Sequence, residues 1–465
     1  MDKSLVQQLG KIHEYRKVPK ELIDQYISKL EFCGRYFDYN DENKDIKEKN
    51  DRLYYLQQIS DLLQESNAYP TLVLPHFEQL MIMIENNIFR PLPVQKKQIQ
   101  QQVEPEIDIN DVYVVASWSH LQPVYDIFLQ VVVNEQMDVK ILMKYISKKF
   151  IHQLLELFDS NEPREREYVK NLYHRLYGKL VQKRKTFRKA ISFVFQTLIH
   201  ERFSFNGMPE LLDILASIIS GYAVPLREEH IDFFKNIFIP LHKVQTSHHY
   251  HEQLQRCSML FLSKMPELSL DLIDALLKYW PFANSTKELM FLSELLEVIE
   301  VPEMNKIQPY VERLFKRLIK CISGPHLQIA DRAMCFFENE YFLGMLRQYK
   351  SITFPLIVPV IHKIADNHWH KILQESLIAL RAILRELDPQ AYEKSLTYKN
   401  VPTLYLSKDA KKRAEERVKV DEKWSELYKQ AKKVDPSISQ KTLPYTDKNV
   451  VGDFNGLENT NVVFN

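Results

Sequence analysis

The segment NLYHRLYGKLVQKRKTFRKA, residues 171–190, sets seven Lys or Arg residues and His174 among Leu172, Tyr173, Leu176, Tyr177, Leu180 and Phe187. Cations interleaved with aromatic rings can hold an anion: a nucleic-acid backbone, an anionic membrane surface or an acidic peptide. A plain solvated helix face produces the same pattern. His174 and Tyr177 are three residues apart and share one face of a helix. The next candidate is PELLDILASIISGYAVPLREEH, residues 209–230. There Ile214, Ile218, Leu211, Tyr222, Leu215, Ile219 and Leu212 sweep an arc of roughly 160° on a helical wheel, whereas one packing face needs only about 100°. Ile214 and Ile218 stand at the edge of that arc and can serve as an apolar floor, with Arg184, Arg188, Arg227 and His230 as a cationic rim. An inner helix buried on both sides gives the same arc. Floor and rim together suit an extended peptide with apolar anchors and an acidic end.

Other chemistries find less support. HHYH, His248–His251, invites a metal, but no Cys or carboxylate partner stands at ligand spacing; a polar turn between two helices accounts for it. His368 and His370 flank Trp369, as on a helix with a half-buried Trp. Glu228 and Glu229, or Glu415 and Glu416, are ordinary helix-surface pairs. No G-x-G-x-x-G, G-x-x-x-x-G-K-[ST] or G-x-S-x-G occurs, and no nucleophile stands with its base. The expectation is a non-enzyme with no cofactor and no metal. Cys33, Cys257, Cys321 and Cys335 form no C-x-x-C pair, which suits a reducing compartment.

The elements that must carry these residues are helices. Glycine numbers 9 in 465, against an average near 7%, so hairpins and phosphate loops have few of the residues they need. From about residue 20 to 395, apolar residues recur at i, i+3, i+4 and i+7, as in Leu272, Ile273, Leu276 and Leu277. Prolines such as Pro163, Pro209, Pro225 and Pro281 mark the breaks. Helix pairs recur at roughly 40-residue intervals, as HEAT or armadillo hairpins do. The expected fold is therefore all-α, a curved α-solenoid of HEAT-like helical repeats, with helical bundles as the alternative. The solenoid is expected over residues 21–400, with a polar loop at 92–112 and an N-terminal extension at 1–20. A charged C-terminal helix at 401–433 and a disordered tail at 434–465 complete the expected layout. The net charge is +1, so nothing global favours nucleic acid. No apolar run suggests a membrane span. A cytoplasmic protein is expected; Lys408, Lys411, Lys412 and Arg413 read either as a nuclear import signal or as one solvated helix face.

Several long blocks resemble the B-prime regulatory subunits of protein phosphatase 2A. They are FIHQLLELFDSNEPREREYVKNLYHRLYGKL, ELLDILASIISGYAVPLREEH, PLHKV, ALLKYWP and MFLSELLEVIE. ASWSHLQPVYDIFLQ and CISGPHLQIADRAMCFFENEY extend the likeness, which covers about residues 28–395. The resemblance implies a non-catalytic stack of eight HEAT-like repeats that docks on the phosphatase scaffold subunit and catalytic subunit and selects substrates. It further implies a groove between the third and fourth repeats for peptides of the form L-x-x-I-x-E. His174, Arg175, Tyr177, Arg184 and Arg188 would form one side, and Ile214, Ile218, Arg227 and His230 the other. Arg227 stands where that family usually has Lys, and the acidic stretch from Glu104 to Trp118 is weaker than the family's. Residues 1–20 and those beyond 400 show no clear counterpart. A reading of another class is a transport-type helical-repeat adaptor whose basic groove takes acidic cargo or RNA.

Overall fold

The computed structural model describes residues 19–396 apart from 40, 42–43, 66–68, 93–116, 202–203 and 367–369. The expected loop beyond Leu92, the C-terminal helix, the tail, the Lys408–Arg413 cluster, His368 and Trp369 lie outside the described residues. Among those described there are helices and turns and no strand.

The chain divides into two compact units. The first runs to Leu387. Its early helices are α1 (Lys20–Cys33), α2 (Ile46–Gln64), α3 (Phe77–Ile88), α4 (Trp118–Val133), α5 (Val139–Tyr145) and α6 (Lys148–Glu156). Then come α7 (Pro163–Lys179), α8 (Arg184–His200), α9 (Met208–Ser220), α10 (Glu228–Phe233), α11 (His251–Lys264) and α12 (Leu268–Lys278). The last are α13 (Ser285–Val298), α14 (Gln308–Ile322), α15 (Leu327–Met334), α16 (Glu340–Gln348), α17 (Lys350–Ala365) and α18 (Lys371–Leu387). In the second unit the described element is α19 (Pro389–Leu396), which buries Tyr392 and Ser395.

Helix starts follow local chemistry. Ser147 Oγ accepts the Phe150 amide at 3.1 Å, Asn284 Oδ1 that of Lys287 at 2.9 Å, and Asn339 Oδ1 that of Phe342 at 3.0 Å. Each satisfies a donor that a helix start leaves unpaired. Pro163, Pro209 and Pro309 sit in first turns, where a missing N–H costs nothing. Proline is not only a boundary here, however. Pro123 lies inside α4, and Pro355 and Pro359 lie inside α17. Buried rows, Val124, Tyr125 and Phe128 in α4 and Phe354, Ile357 and Ile361 in α17, offset a local cost of about 3 kcal/mol per interior proline.

Within the first unit the helices form two layers. In one, α4, α7, α9, α11, α13 and α15 each pack on the next, and α18 packs on α15. These helices begin at residues 118, 163, 208, 251, 285, 327 and 371, close to the spacing expected from the sequence. In the other layer α6 packs on α8, and α12, α14 and α17 follow in turn. The helical segment Phe234–Lys243 fills the place between α8 and α12. Neighbours in sequence join the layers, as α12 with α13 and α14 with α15 do. This is a stacked helical-repeat array, in which each pair buries its apolar face on its neighbours.

Two features set the position of α7 and α9. Arg90, just past α3, clamps the fully buried Glu165 of α7 through two hydrogen bonds of 2.6 and 2.8 Å. The Tyr125 hydroxyl donates to the same carboxylate at 2.7 Å and Ser160 Oγ at 2.5 Å, so this buried charge is fully partnered. Gly207 precedes α9 and touches the preceding repeat: a Cβ there would stand 2.5 Å from both Cβ and O of Phe158.

Candidate functional site

Helix α7 buries Val169, Leu172, Tyr173 and Leu176, a spacing that turns His174 and Arg175 outward. Both are exposed, and Tyr177 is half-buried. The chain then makes a short turn, Val181–Lys183, into α8. The turn is locked from below, because the Tyr173 hydroxyl donates to Phe187 O at 2.9 Å and its ring meets that of Phe187 edge-on at 4.9 Å.

The basic residues of this segment divide by task. Lys179 Nζ donates to Val132 O and Asn134 O, each at 2.8 Å, and Lys183 Nζ donates to Met143 O at 2.7 Å and to Ile146 O. These lysines satisfy carbonyls at the ends of α4 and α5 and are committed to structure. Arg184 lies over the Tyr177 ring at 5.3 Å and donates to Tyr177 O and Gly178 O, each at 3.2 Å. It thereby caps the last turn of α7. Arg188, one turn along α8, reaches across to the next repeat. Its Nη2 lies 3.1 Å from Glu229 Oε1, and its Nη1 is 3.5 Å from the Tyr177 hydroxyl.

Helix α9 is buried on two sides, as its wide apolar arc allowed. Ile214 is 2% exposed and Ile218 4%, and neither is among the residues that line the cleft beside α9. After α9 the chain passes Tyr222 and a bend at Val224–Pro225 to Arg227, which is exposed at the N-cap of α10. His230 is 9% exposed and stacks on Tyr222, with ring centroids 3.8 Å apart and planes 7° from parallel. Its Nε2 lies 3.4 Å from Glu229 Oε1, but neither ring nitrogen makes a hydrogen bond. Burial first, and then the Arg188 cation, pull His230 below its ordinary value of 6.5, so the ring is neutral near pH 7.

Between α8, the end of α9 and α10 lies a cleft of about 430 Å³. Ile191, Leu215, Phe233 and Ile237 form its apolar wall; Arg188, Lys185, Lys189, Tyr222, Glu229 and His230 supply polar groups. Of the nine residues expected at a groove, Arg188 and His230 line this cleft. Tyr177 and Arg184 adjoin it through the α7–α8 turn, and Arg227 stands three residues before His230. His174 and Arg175 lie on the exposed face of α7. The apolar wall draws Ile191 from α8, Leu215 from α9, Phe233 from α10 and Ile237 from the segment after α10. Glu229, read as an ordinary surface carboxylate, is in the cleft itself. A second cleft, of about 480 Å³, lies beside His152, Phe193 and Phe205. Its Arg90 is already bound to Glu165.

Elsewhere, His248 and His249 do lie in a polar turn, but His251 of the same HHYH run is buried. It faces Glu294 across 3.1 Å, and His242 of PLHKV faces the other oxygen at the same distance. Among the described residues no cluster of three or more His, Cys, Asp or Glu has metal-holding geometry. No described helix is long and apolar enough to cross a membrane.

Comparison with known proteins identifies the family. A family model described as the protein phosphatase 2A regulatory B subunit (B56 family) matches residues 14–431. The match includes residues 401–431, for which the sequence blocks had shown no counterpart. The B' eta 59 kDa regulatory subunit of Arabidopsis thaliana is 34% identical over 421 residues, covering 89% of this chain and 79% of that protein. The 56 kDa delta regulatory subunit of Saccharomyces cerevisiae is 34% identical over 470 residues, covering 95% of this chain and 60% of that one. The human delta isoform is 35% identical over 393 residues, covering 83% and 65%. These relatives carry regulatory and not catalytic names. With its stacked helical repeats and a family match over nearly its whole length, the chain belongs to the B56 family of protein phosphatase 2A regulatory B subunits.

Proposed function

We propose that this chain recruits substrates to a phosphatase core made of a scaffold and a catalytic subunit. Recruitment would act through short peptides of the form L-x-x-I-x-E held at the α7–α10 cleft. The names of its relatives support the association with protein phosphatase 2A. The peptide reading rests chiefly on one observation: a buried His230, whose ring nitrogens make no hydrogen bond, and the Arg188 guanidinium share a cleft with an apolar wall. An extended peptide would place apolar side chains against that wall and its acid at Arg188 and His230. Tethering a substrate raises its effective concentration at an active site on another chain, to about the millimolar range for a short linker. No chemistry is required of the recruiting chain.

Affinity-tagged full chain expressed in eukaryotic cells tests the proposal. The scaffold and catalytic phosphatase subunits should copurify, and an excess of L-x-x-I-x-E peptide should release substrates while leaving those two subunits bound. Copurification of transport machinery in place of the phosphatase would sink it.

A further inference from the structure

We propose that Glu229 is a built-in competitor for the ligand's anion and so sets which ligands can enter the cleft; the inference rests on the peptide reading above. The Glu229 carboxylate stands where an acidic ligand would bind, 3.1 Å from Arg188 Nη2 and 3.4 Å from His230 Nε2. The two partners of this pair differ in freedom. The Glu229 side chain is 41% exposed and that of Arg188 24%, so the carboxylate can swing into water while the guanidinium stays against Tyr177. An incoming carboxylate that takes Arg188 leaves Glu229 as a nearby like charge, which favours that outward swing.

The consequence is selectivity by exclusion. Glu229 is part of the chain and competes at a high local concentration. A lone carboxylate or a nucleic-acid phosphate brings only charge and must displace it unaided. A peptide that also fills the apolar wall has a second source of affinity and can displace it. His230 completes the exchange: its ring nitrogens make no hydrogen bond, and one gains an acceptor once a ligand carboxylate lies beside it.

Binding of a fluorescent L-x-x-I-x-E peptide and its Glu→Gln counterpart would be titrated against the wild-type chain, Glu229→Gln, Glu229→Ala, Arg188→Ala and the double variant Glu229→Gln/Arg188→Ala. Melting curves establish that each is folded. Removing the competing charge should tighten the acidic peptide about 2- to 5-fold, the upper range of an exposed ion pair, and leave the amide peptide unchanged. The gain should vanish in the Arg188→Ala background, because Glu229 acts through Arg188. If both Glu229 variants weaken the acidic peptide or leave it unchanged, while Arg188→Ala still weakens it, the competitor role is wrong and the groove stands. If no variant and no wild-type chain binds the acidic peptide, both fall.

Discussion

His242 Nε2 lies 3.1 Å from Glu294 Oε1, and neither side chain is exposed. His242 Nδ1 is 2.9 Å from Ile239 O, Ser258 Oγ donates to Glu294 Oε1 at 2.8 Å, and His251 faces Glu294 Oε2. Both ring nitrogens of His242 thus lie within hydrogen-bond reach of oxygens. One buried carboxylate ties together the segment before α11, α11 itself and α13.

Glu294 should therefore govern part of the acid stability. Burial alone would raise its pKa, but His242 and then His251 outweigh burial and hold it well below its ordinary value of 4.5. A depressed folded value means a contribution fully present above the unfolded value and lost as pH falls through the folded one. Glu294→Gln should cost about 3 kcal/mol near pH 7, as breaking a buried pair does. It should also flatten the loss of near-ultraviolet circular dichroism in acid below about pH 4.5. An acid transition that matches the wild type would refute this role.

Two glycines should respond oppositely to alanine. At Gly207 the new methyl would meet Phe158 backbone and Cβ atoms at 2.5 Å, atoms that cannot rotate away, so destabilisation of about 1–3 kcal/mol is expected. Gly178, on α7, has nothing within 4 Å of such a methyl and should gain about 0.5–1 kcal/mol in helix propensity. Denaturant titration of the two variants reads the sign directly.

The basic segment should separate into structural and binding cations. Lys183→Met removes bonds to the Met143 and Ile146 carbonyls and should cost about 1 kcal/mol while peptide affinity stays within about twofold. Equal losses in stability and binding would show that the division is wrong.

Arg188→Ala should weaken an L-x-x-I-x-E peptide roughly 10- to 30-fold, since a partly desolvated charge-assisted contact is worth about 2 kcal/mol. It should also flatten the salt dependence of binding. A nucleic-acid clamp predicts otherwise, with single substitutions mattering little and affinity collapsing steeply in salt. Ile218→Ala, at a site only 4% exposed, should behave as a core cavity and cost about 2–5 kcal/mol of stability. Binding isotherms at two salt concentrations, beside melting curves, distinguish these outcomes.

The amino-acid sequence by itself determined the fold class, because apolar spacing, few glycines and capping residues are local and act on neighbours along one helix. It also set Arg188 and His230 beside apolar helices, but did not show the burial that keeps His230 neutral. What it left open depended on which repeat packs against which. The arc on α9 is equally wide for a groove floor and for an inner helix, and only the stack, with α7 on one side and α11 on the other, buries Ile214 and Ile218. Pro355 and Pro359 lie inside α17, where packing overrides proline's local tendency to break a helix. Lys179 and Arg188 look alike in sequence, but one ends on α4 carbonyls and the other on Glu229, forty-one residues away. His242 and Glu294, fifty-two residues apart, leave no periodic trace. Partners chosen across repeats are decided by tertiary packing, because the free energy of a buried charge depends on what surrounds it and not on its neighbours in the chain.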